Sequence, residues 1–183
     1  TVKMQQELID LHVKNGATWL DIGGYSSRPG AGHISEQAEI ERIQFAVSYA
    51  LETYPEVKIT VDTFQSEVAS YVLEQGVHGI NDISGGLINP EIFDLVASYE
   101  VPYVLMHMRG TPQTMSQLNS YHHLLKDVIV ELGSQLEKAC RVASCDRCGR
   151  LCALLRQWLH PAAISQLCDA LPLRCRQGWQ AEA

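Results

Sequence analysis

The sequence lacks several features that define common classes of protein. Its apolar runs are too short to cross a bilayer, and its first ten residues have neither the basic start nor the apolar centre of a signal peptide. The net charge of −7 argues against sequence-independent nucleic-acid binding, which requires a basic surface. No Gly-x-Gly-x-x-Gly motif follows a predicted strand, which disfavours a dinucleotide-binding fold. We therefore expect a soluble protein without a membrane or nucleic-acid partner.

Cysteine is absent from residues 1–139. All six cysteines fall in the last quarter of the chain, where lysine is absent after Lys138 and six of the nine arginines occur. Residues 1–139 carry eighteen acidic and eight basic side chains, whereas residues 140–183 carry three and six, so the net charge changes from −10 to +3. A body without cysteine is typical of a cytoplasmic enzyme rather than a disulfide scaffold. We predict a folded unit over residues 1–139 and an atypical Cys- and Arg-rich tail over residues 140–183.

Hydrophobic spacing predicts short strands that alternate with longer helices. The predicted strands cover residues 18–23, 57–63, 79–83 and 101–108, and the predicted helices cover residues 2–14, 36–53, 66–75, 90–99 and 121–139. This alternation indicates a parallel sheet and an α/β fold. We prefer a partial (β/α)8 TIM barrel of about four βα units to an open doubly wound sheet. A complete barrel needs about 250 residues, so roughly half of one is expected here.

Polar side chains gather where the predicted strands end. Asp62 closes the second strand, after the apolar Ile59 and Val61, while Asn81 and Asp82 close the third. The C-terminal ends of parallel strands form the usual ligand-binding side of an α/β fold. An ionised carboxylate among apolar neighbours is costly to bury unless it gains a partner or a ligand with hydrogen-bond donors. Asp62 is therefore the first candidate for a binding residue.

Four stretches at strand ends carry a resemblance to a known family. DIGGYSSRPGA, ITVDTFQSEVA, GINDISGG and VLMHMRGTPQTM, in this order and at these intervals, resemble dihydropteroate synthase over residues 2 to about 139. The resemblance implies a pterin-binding (β/α) barrel with a tendency to form homodimers. It also implies the condensation of 6-hydroxymethyl-7,8-dihydropterin diphosphate with p-aminobenzoate in folate biosynthesis. Sulfonamide drugs are expected to occupy the aminobenzoate position.

The resemblance implies roles for three residues near the pterin. Asp62 and Asn81 are expected to bind the edge of the ring, because an ionised carboxylate accepts from two donors and an amide both donates and accepts. Met106 is expected to pack its apolar side chain against the ring. The structural alternatives are that Asp62 pairs with a neighbouring backbone amide and that Asn81 caps the turn after its strand.

The resemblance also implies a mobile loop with Ser27, Arg28 and Pro29 that closes over the diphosphate and the aminobenzoate. Arg28 would offset the negative charge that grows on the leaving pyrophosphate, so Arg28 and Asp62 are the expected catalytic residues. No protein nucleophile is expected, since the enzyme contributes positioning and electrostatics. Magnesium is expected to accompany the diphosphate, with its protein ligand in a segment before Thr1.

Five other polar residues are expected to be structural or solvated. Asp21 should brace the end of the first strand, and Asp82 should hold the turn after the third. His107 lies in an apolar stretch and is expected to be a core histidine with a satisfied ring. His122 and His123 should face solvent.

The sequence departs from the family pattern at both ends. It begins without Met in a helical pattern, and the family's first strand would precede Thr1. The Asp, the Lys, and the Arg and His that the family carries on its sixth to eighth strands find no match after residue 139. The tail has the composition of an out-of-frame translation. We therefore expect a frameshifted or truncated product that is inactive alone.

Other interpretations of the chain stay open. The tail could bind zinc as a non-catalytic module through Cys145, Cys148 and Cys152 with His160 or Cys168, although only the first pair has a typical spacing. A Leu-rich helical segment without metal is the other alternative for the tail. A pterin-dependent methyltransferase barrel would share the Asp and Asn contacts, but it lacks the SSRPG loop and the MHMRGTPQTM segment that this sequence contains.

Overall fold

The computed structural model describes residues 1–28 and 32–142. Helices and strands alternate along this part of the chain, as the hydrophobic spacing predicts. The helices are α1 (Val2–Lys14), α2 (Glu36–Thr53), α3 (Ser66–Glu74), α4 (Ile92–Ser98) and α5 (Leu124–Val142), and the strands are β1 (Trp19–Gly23), β2 (Lys58–Asp62), β3 (Gly79–Asp82) and β4 (Tyr103–Leu105). The predicted bounds of α1 and α2 agree with the structure residue for residue.

The four strands form one parallel sheet in the order β1-β2-β3-β4. Each strand pairs with the next one along the chain, and α2, α3 and α4 lie in the connections between them. A doubly wound sheet reverses its strand order part-way, whereas a barrel adds every strand on the same side. The observed order therefore confirms the partial barrel and disfavours the doubly wound alternative.

The helices cover one face of the sheet. Ile59, Val61 and Ile80 are fully buried on this face, in a core shared with α2 and α3. Because successive strand residues alternate between faces, Trp19 and Val104 point to the opposite face, where they are 50% and 47% exposed. The sheet thus has a covered face and an accessible face. No helix in residues 1–28 and 32–142 is both long and apolar enough to span a membrane.

Three elements differ from the predicted bounds by two residues or more, for local reasons. β4 is shorter than predicted, since Pro102 has no N–H to donate and the strand pairs only with β3 in the described sheet. α4 begins two residues after Pro90, which lies in the preceding turn. α5 begins late because Asp127 Oδ2 accepts from the backbone N–H groups of His122 and His123, at 3.0 and 3.3 Å. Both histidines are exposed, as expected.

Helical spacing alone does not identify the buried side of α1 or of α5. Met4, Leu8 and Leu11 lie on one side of α1, yet they are exposed, and Ile9 is the buried residue. In α5, Leu124, Leu132 and Leu136 recur at helical spacing, and they too are not among the buried residues. The buried residues of α5 are Gly133, Gln135 and Ala139. The position of a helix on the sheet therefore decides which of its side chains pack into the core.

Asp82 holds the turn between β3 and α4. It is fully buried, and its Oδ1 accepts from the backbone N–H of Ser84 at 2.7 Å. Its Oδ2 accepts from the backbone N–H of Gly86 at 3.0 Å and from the hydroxyl of Tyr103 at 2.7 Å. Burial and the adjacent carboxylate raise the pKa of Tyr103 well above its usual range. These bonds confirm the structural role expected for Asp82.

We predict that Tyr103→Phe lowers the free energy of unfolding by about 1.5–3 kcal/mol, because it removes a hydrogen bond to a buried carboxylate. Tyr71→Phe is the matched control, since Tyr71 is also partly buried but its hydroxyl makes no hydrogen bond within the described residues. Urea denaturation of both variants measures the difference. Equal stability of the two variants would show that the Asp82 turn does not depend on Tyr103.

Candidate functional site

The register of the sheet brings Gly23, Asp62 and Asn81 into one row across β1, β2 and β3. Asp62 is the Cα partner of Gly23 on one side and of Asn81 on the other. The row lies at the C-terminal ends of the strands, on the accessible face of the sheet. Gly23 lies directly beside Asp62, since a Cβ there would make an ordinary contact with the Asp62 Cβ at 3.4 Å. The two residues predicted to bind the pterin edge are therefore adjacent.

Asp21 orients Asn81 from the same face of the sheet. Its Oδ2 accepts from the Asn81 Nδ2 at 2.8 Å, and its Oδ1 accepts from the Thr60 hydroxyl at 2.7 Å. Because the amide nitrogen faces this carboxylate, the Asn81 Oδ1 points elsewhere, and it is buried without a partner among the described residues. Asp21 thus braces the strand ends, as expected, and leaves the amide oxygen of Asn81 free to accept.

Asp62 has no such partner. Its carboxylate accepts no hydrogen bond within the described part of the chain, so the alternative in which it pairs with a backbone amide is not observed there. Burial, followed by the negative charges of Asp21, Glu39 and Asp82, raises the pKa of Asp62 from 3.8 to about 6. A partly buried carboxylate without donors is suited to a ligand that supplies them.

The loop after β1 carries the predicted Ser27 and Arg28. Tyr25 anchors the start of this loop, since its hydroxyl accepts from Gln113 Nε2 at 3.0 Å. Ser27 is half-buried, whereas Arg28 is exposed and forms no ion pair with the described residues. Pro29 lies outside the described residues. The structure therefore leaves the Arg28 guanidinium without a competing carboxylate in this part of the chain.

Met106 follows the end of β4. It is 37% exposed, and it comes two residues after Val104, which is the Cα partner of Asn81. Its carbonyl oxygen approaches Gly85 so closely that a Cβ there would clash, and Gly85 has a φ of +57°. β4, the strand next to Asn81, thus places apolar side chains beside the polar row. The resemblance predicts that Met106 contacts the pterin ring there.

A second polar cluster joins the segment after β4 to α5. Glu131 accepts from the guanidinium of Arg109, and its Oε2 lies 2.8 Å from the His107 Nε2. The Arg109 guanidinium stacks 3.8 Å from the ring centre of Tyr121. The bonds from Arg109, and then from His107, lower the pKa of Glu131 to about 2. His107 has a partner for its ring, as expected, but it lies after β4 and is half-buried in a polar cluster, so it is not the core histidine that the sequence predicts. Sequence spacing could not pair Arg109 with a residue 22 positions away.

Two buried polar residues, Glu39 and Gln65, are not marked by the polar strand ends in the sequence. Glu39 is fully buried in α2, and its Oε2 accepts from the Gln65 Nε2. Helical spacing contains a signal for it, since Glu39 precedes the buried Ile43 by one turn and Val47 by two. An acidic residue on the apolar side of a helix is a candidate for a functional carboxyl group.

In residues 1–28 and 32–142, no group of three or more His, Cys, Asp or Glu side chains is arranged to hold a metal ion. The described residues therefore do not fit a magnesium site of their own. The zinc ligands predicted in the tail, Cys145, Cys148, Cys152, His160 and Cys168, lie outside the described residues. Both metal sites stay predictions.

Comparison with known proteins assigns the family. The family model described as pterin-binding enzyme matches residues 5–144, which include Asp62 and Asn81. The chain belongs to the pterin-binding enzyme family. The match begins in α1 and runs past the end of α5, so every strand of the described sheet lies within it.

Relatives of this chain are named for a role in folate synthesis. The folic acid synthesis protein fol1 of Pneumocystis carinii is 43% identical over 133 residues, which are 72% of this chain and 18% of that protein. The dihydropteroate synthase of Synechocystis is 39% identical over 127 residues, 69% of this chain and 44% of that protein. These relatives confirm the resemblance to dihydropteroate synthase and do not support the methyltransferase alternative.

A solved structure gives the same result for the fold. The Yersinia pestis dihydropteroate synthase, in complex with a sulfonamide drug, superposes with a TM-score of 0.67 at 33% identity. The superposition covers 76% of this chain and 49% of the Yersinia chain. The chain thus spans less than half the length of each of the Pneumocystis, Synechocystis and Yersinia proteins.

We predict that Asp62→Asn stabilises the chain at neutral pH. The raised pKa means that the folded chain binds more protons than the unfolded chain between about pH 4 and pH 6, so the free energy of unfolding falls as the pH rises through this window. The Asn variant should match the parent near pH 4 and exceed it by up to about 2 kcal/mol above pH 6. Urea denaturation from pH 4 to 8 measures the difference.

The exposed Asp94→Asn change is the control for this series. It replaces a carboxylate by an amide on α4, away from the row, and should not reproduce the pH-dependent gain. A constant difference between Asp62→Asn and the parent at all pH values would contradict the prediction.

Proposed function

We propose that this chain recognises the pterin in a dihydropteroate synthase reaction. In that reaction 6-hydroxymethyl-7,8-dihydropterin diphosphate and p-aminobenzoate give dihydropteroate and pyrophosphate. The observation that carries the proposal is the row at the strand ends, where Asp62 and Asn81 are Cα partners and each has an oxygen without a donor. A pterin presents amino and ring N–H donors along one edge. Two adjacent acceptors on a parallel sheet are complementary to that edge.

The two acceptors are not equivalent. Asn81 offers a neutral oxygen in an orientation set by Asp21, while Asp62 offers an anion whose ionisation is opposed by burial. Donors from a ligand would stabilise the ionised form of Asp62 and lower its pKa on binding. The affinity for a pterin should therefore fall as the pH drops below about 6, because protons then compete with the ligand for Asp62.

In the proposed reaction the bond between the pterin methylene and the diphosphate oxygen breaks, and the aniline nitrogen of p-aminobenzoate forms the new bond and loses a proton. Negative charge grows on the departing pyrophosphate. Arg28 is exposed and unpaired within the described residues, which supports its role in offsetting that charge. Ser27 and Pro29 are proposed to contact the diphosphate and the aminobenzoate from the same loop. Met106 is proposed to pack against the pterin ring.

The proposal also covers inhibitors, a metal ion, the oligomeric state and the location of the protein. A sulfonamide is bound to the Yersinia synthase, and we propose that sulfonamides compete with p-aminobenzoate on this chain. Magnesium is proposed to enter with the diphosphate, and no step is assigned to it because the described residues offer no ligand set. A homodimer and a cytoplasmic location complete the proposal, the latter supported by the absence of cysteine before residue 140.

We predict that the chain binds 6-hydroxymethylpterin and that Asp62→Asn weakens this binding about 10- to 100-fold, the usual effect of losing a charge-assisted hydrogen bond. Asn81→Ala should weaken it by a similar factor. Isothermal titration calorimetry at pH 7.5 measures the affinity of the parent and of both variants. Asp94→Asn and Asn119→Ala are the matched controls, since both residues are exposed and lie away from the row.

Absence of pterin binding by the folded parent would contradict the proposed function. Binding that survives both substitutions at the row would place the pterin elsewhere. Condensation is measured separately, as pyrophosphate release in the presence of p-aminobenzoate. We expect little turnover from this chain alone, because it spans less than half the length of the synthases it matches. Turnover at the rate of a complete synthase would contradict that expectation but not the binding proposal.

A further inference from the structure

Glu39 is a buried carboxyl group that the proposed reaction does not use. It is 0% exposed, its Oε2 accepts from Gln65, and its Oε1 has no partner among the described residues. An apolar residue would fill this position without an unsatisfied oxygen, so packing alone does not account for a carboxyl group here. Burial raises the pKa of Glu39 above its usual range, and the hydrogen bond from Gln65 opposes that rise.

Hydrogen bonds connect Glu39 to the row of candidate binding residues. Gln65 donates its backbone N–H to the Thr63 Oγ1 at 3.2 Å, and Thr63 donates its own N–H to the Asn81 carbonyl at 2.9 Å. Thr63 directly follows Asp62 in the chain. The turn that leaves β2 is therefore joined to α2 on one side and to β3 on the other.

Glu39 also contacts the start of the loop that carries Arg28. A Cβ added to Gly24 would lie 2.9 Å from the Glu39 carbonyl oxygen and 3.0 Å from its Cγ. The same residue thus meets the loop after β1 directly and the turn after β2 through Gln65. These are the two segments that flank Asp62 in the proposed site.

Glu39 also acts on Asp62 electrostatically. The negative charge of Glu39 is among those that oppose ionisation of Asp62. When two such carboxyl groups interact, their protons leave in coupled steps, and the ionisation of one disfavours that of the other. The other charged groups that act on this pair are Glu36 and Arg42 on α2, Asp21 on β1 and Asp82 on β3.

We propose that Glu39 is a positioning residue for pterin recognition, which holds the loop after β1 and the turn after β2 so that Asp62 lies beside Asn81. The charge of Glu39 acts on Asp62, so removing that charge should lower the pH at which Asp62 ionises. The role in pterin recognition rests on the proposed function, but the test uses the free chain and does not require that a pterin binds.

The test follows the Asp62 side-chain carboxyl carbon by NMR as the free chain is titrated from pH 3 to 9. In the parent, the Asp62 signal should show a second inflection where Glu39 titrates, since the two groups are coupled. Glu39→Gln keeps the size and an acceptor for Gln65 but removes the charge, so the Asp62 midpoint should fall by about half a unit to one unit. Glu39→Asp retains the charge and should stay closer to the parent.

Glu52→Gln is the matched control, since Glu52 is an exposed acid on the same helix. An Asp62 midpoint that is unchanged in folded Glu39→Gln, or that moves equally in the control, would overturn the proposal. If Glu39→Gln does not fold, the parent titration decides, and a single inflection there overturns it. A coupled titration without pterin binding would reject the proposed function and leave the Glu39–Asp62 coupling in place.

Discussion

Four acidic side chains crowd the C-terminal side of this sheet, and the structure is organised by how each of them is compensated. Asp21 accepts from Thr60 and Asn81, and Asp82 accepts from two backbone amides and Tyr103. Glu39 is half-satisfied by Gln65. Asp62 receives no donor within the described residues, so the energetic cost of the cluster is concentrated on one carboxylate that faces the accessible side of the sheet.

Stability and recognition therefore use different faces of the same strands. The face that carries Ile59, Val61 and Ile80 is buried and apolar, and it holds the helices in place. The face that carries Asp62 and Asn81 contributes little to that core, because its side chains at the strand ends are polar and only Asp21, Asn81 and Thr60 bond to one another there. A ligand with several donors would complete the hydrogen bonding of this second face, which is how a site that destabilises the free chain can be retained.

The candidate residues could be found from sequence where a single strand end carried the information. Asp62 stood out because a carboxylate closes a run of β-branched residues, whereas Asn81 was distinguished from the adjacent Asp82 only by the resemblance. Glu39 did not stand out, since acidic residues in helices are usually solvated and only its spacing from Ile43 marked it as buried. The pair of Arg109 and Glu131 carried no local signal, because no periodicity relates residues on a strand end and a later helix.

The sequence by itself determined the alternation of strands and helices, the α/β class and the order of the polar strand ends, because these follow from local spacing and from which residue types tolerate each backbone conformation. Only the tertiary structure decided that Ile9, rather than Met4 or Leu8, faces the core, and that Asp62 lies between Gly23 and Asn81. The physical reason is that register, burial and desolvation depend on residues far apart in the chain, and none of these exists until the strands have paired.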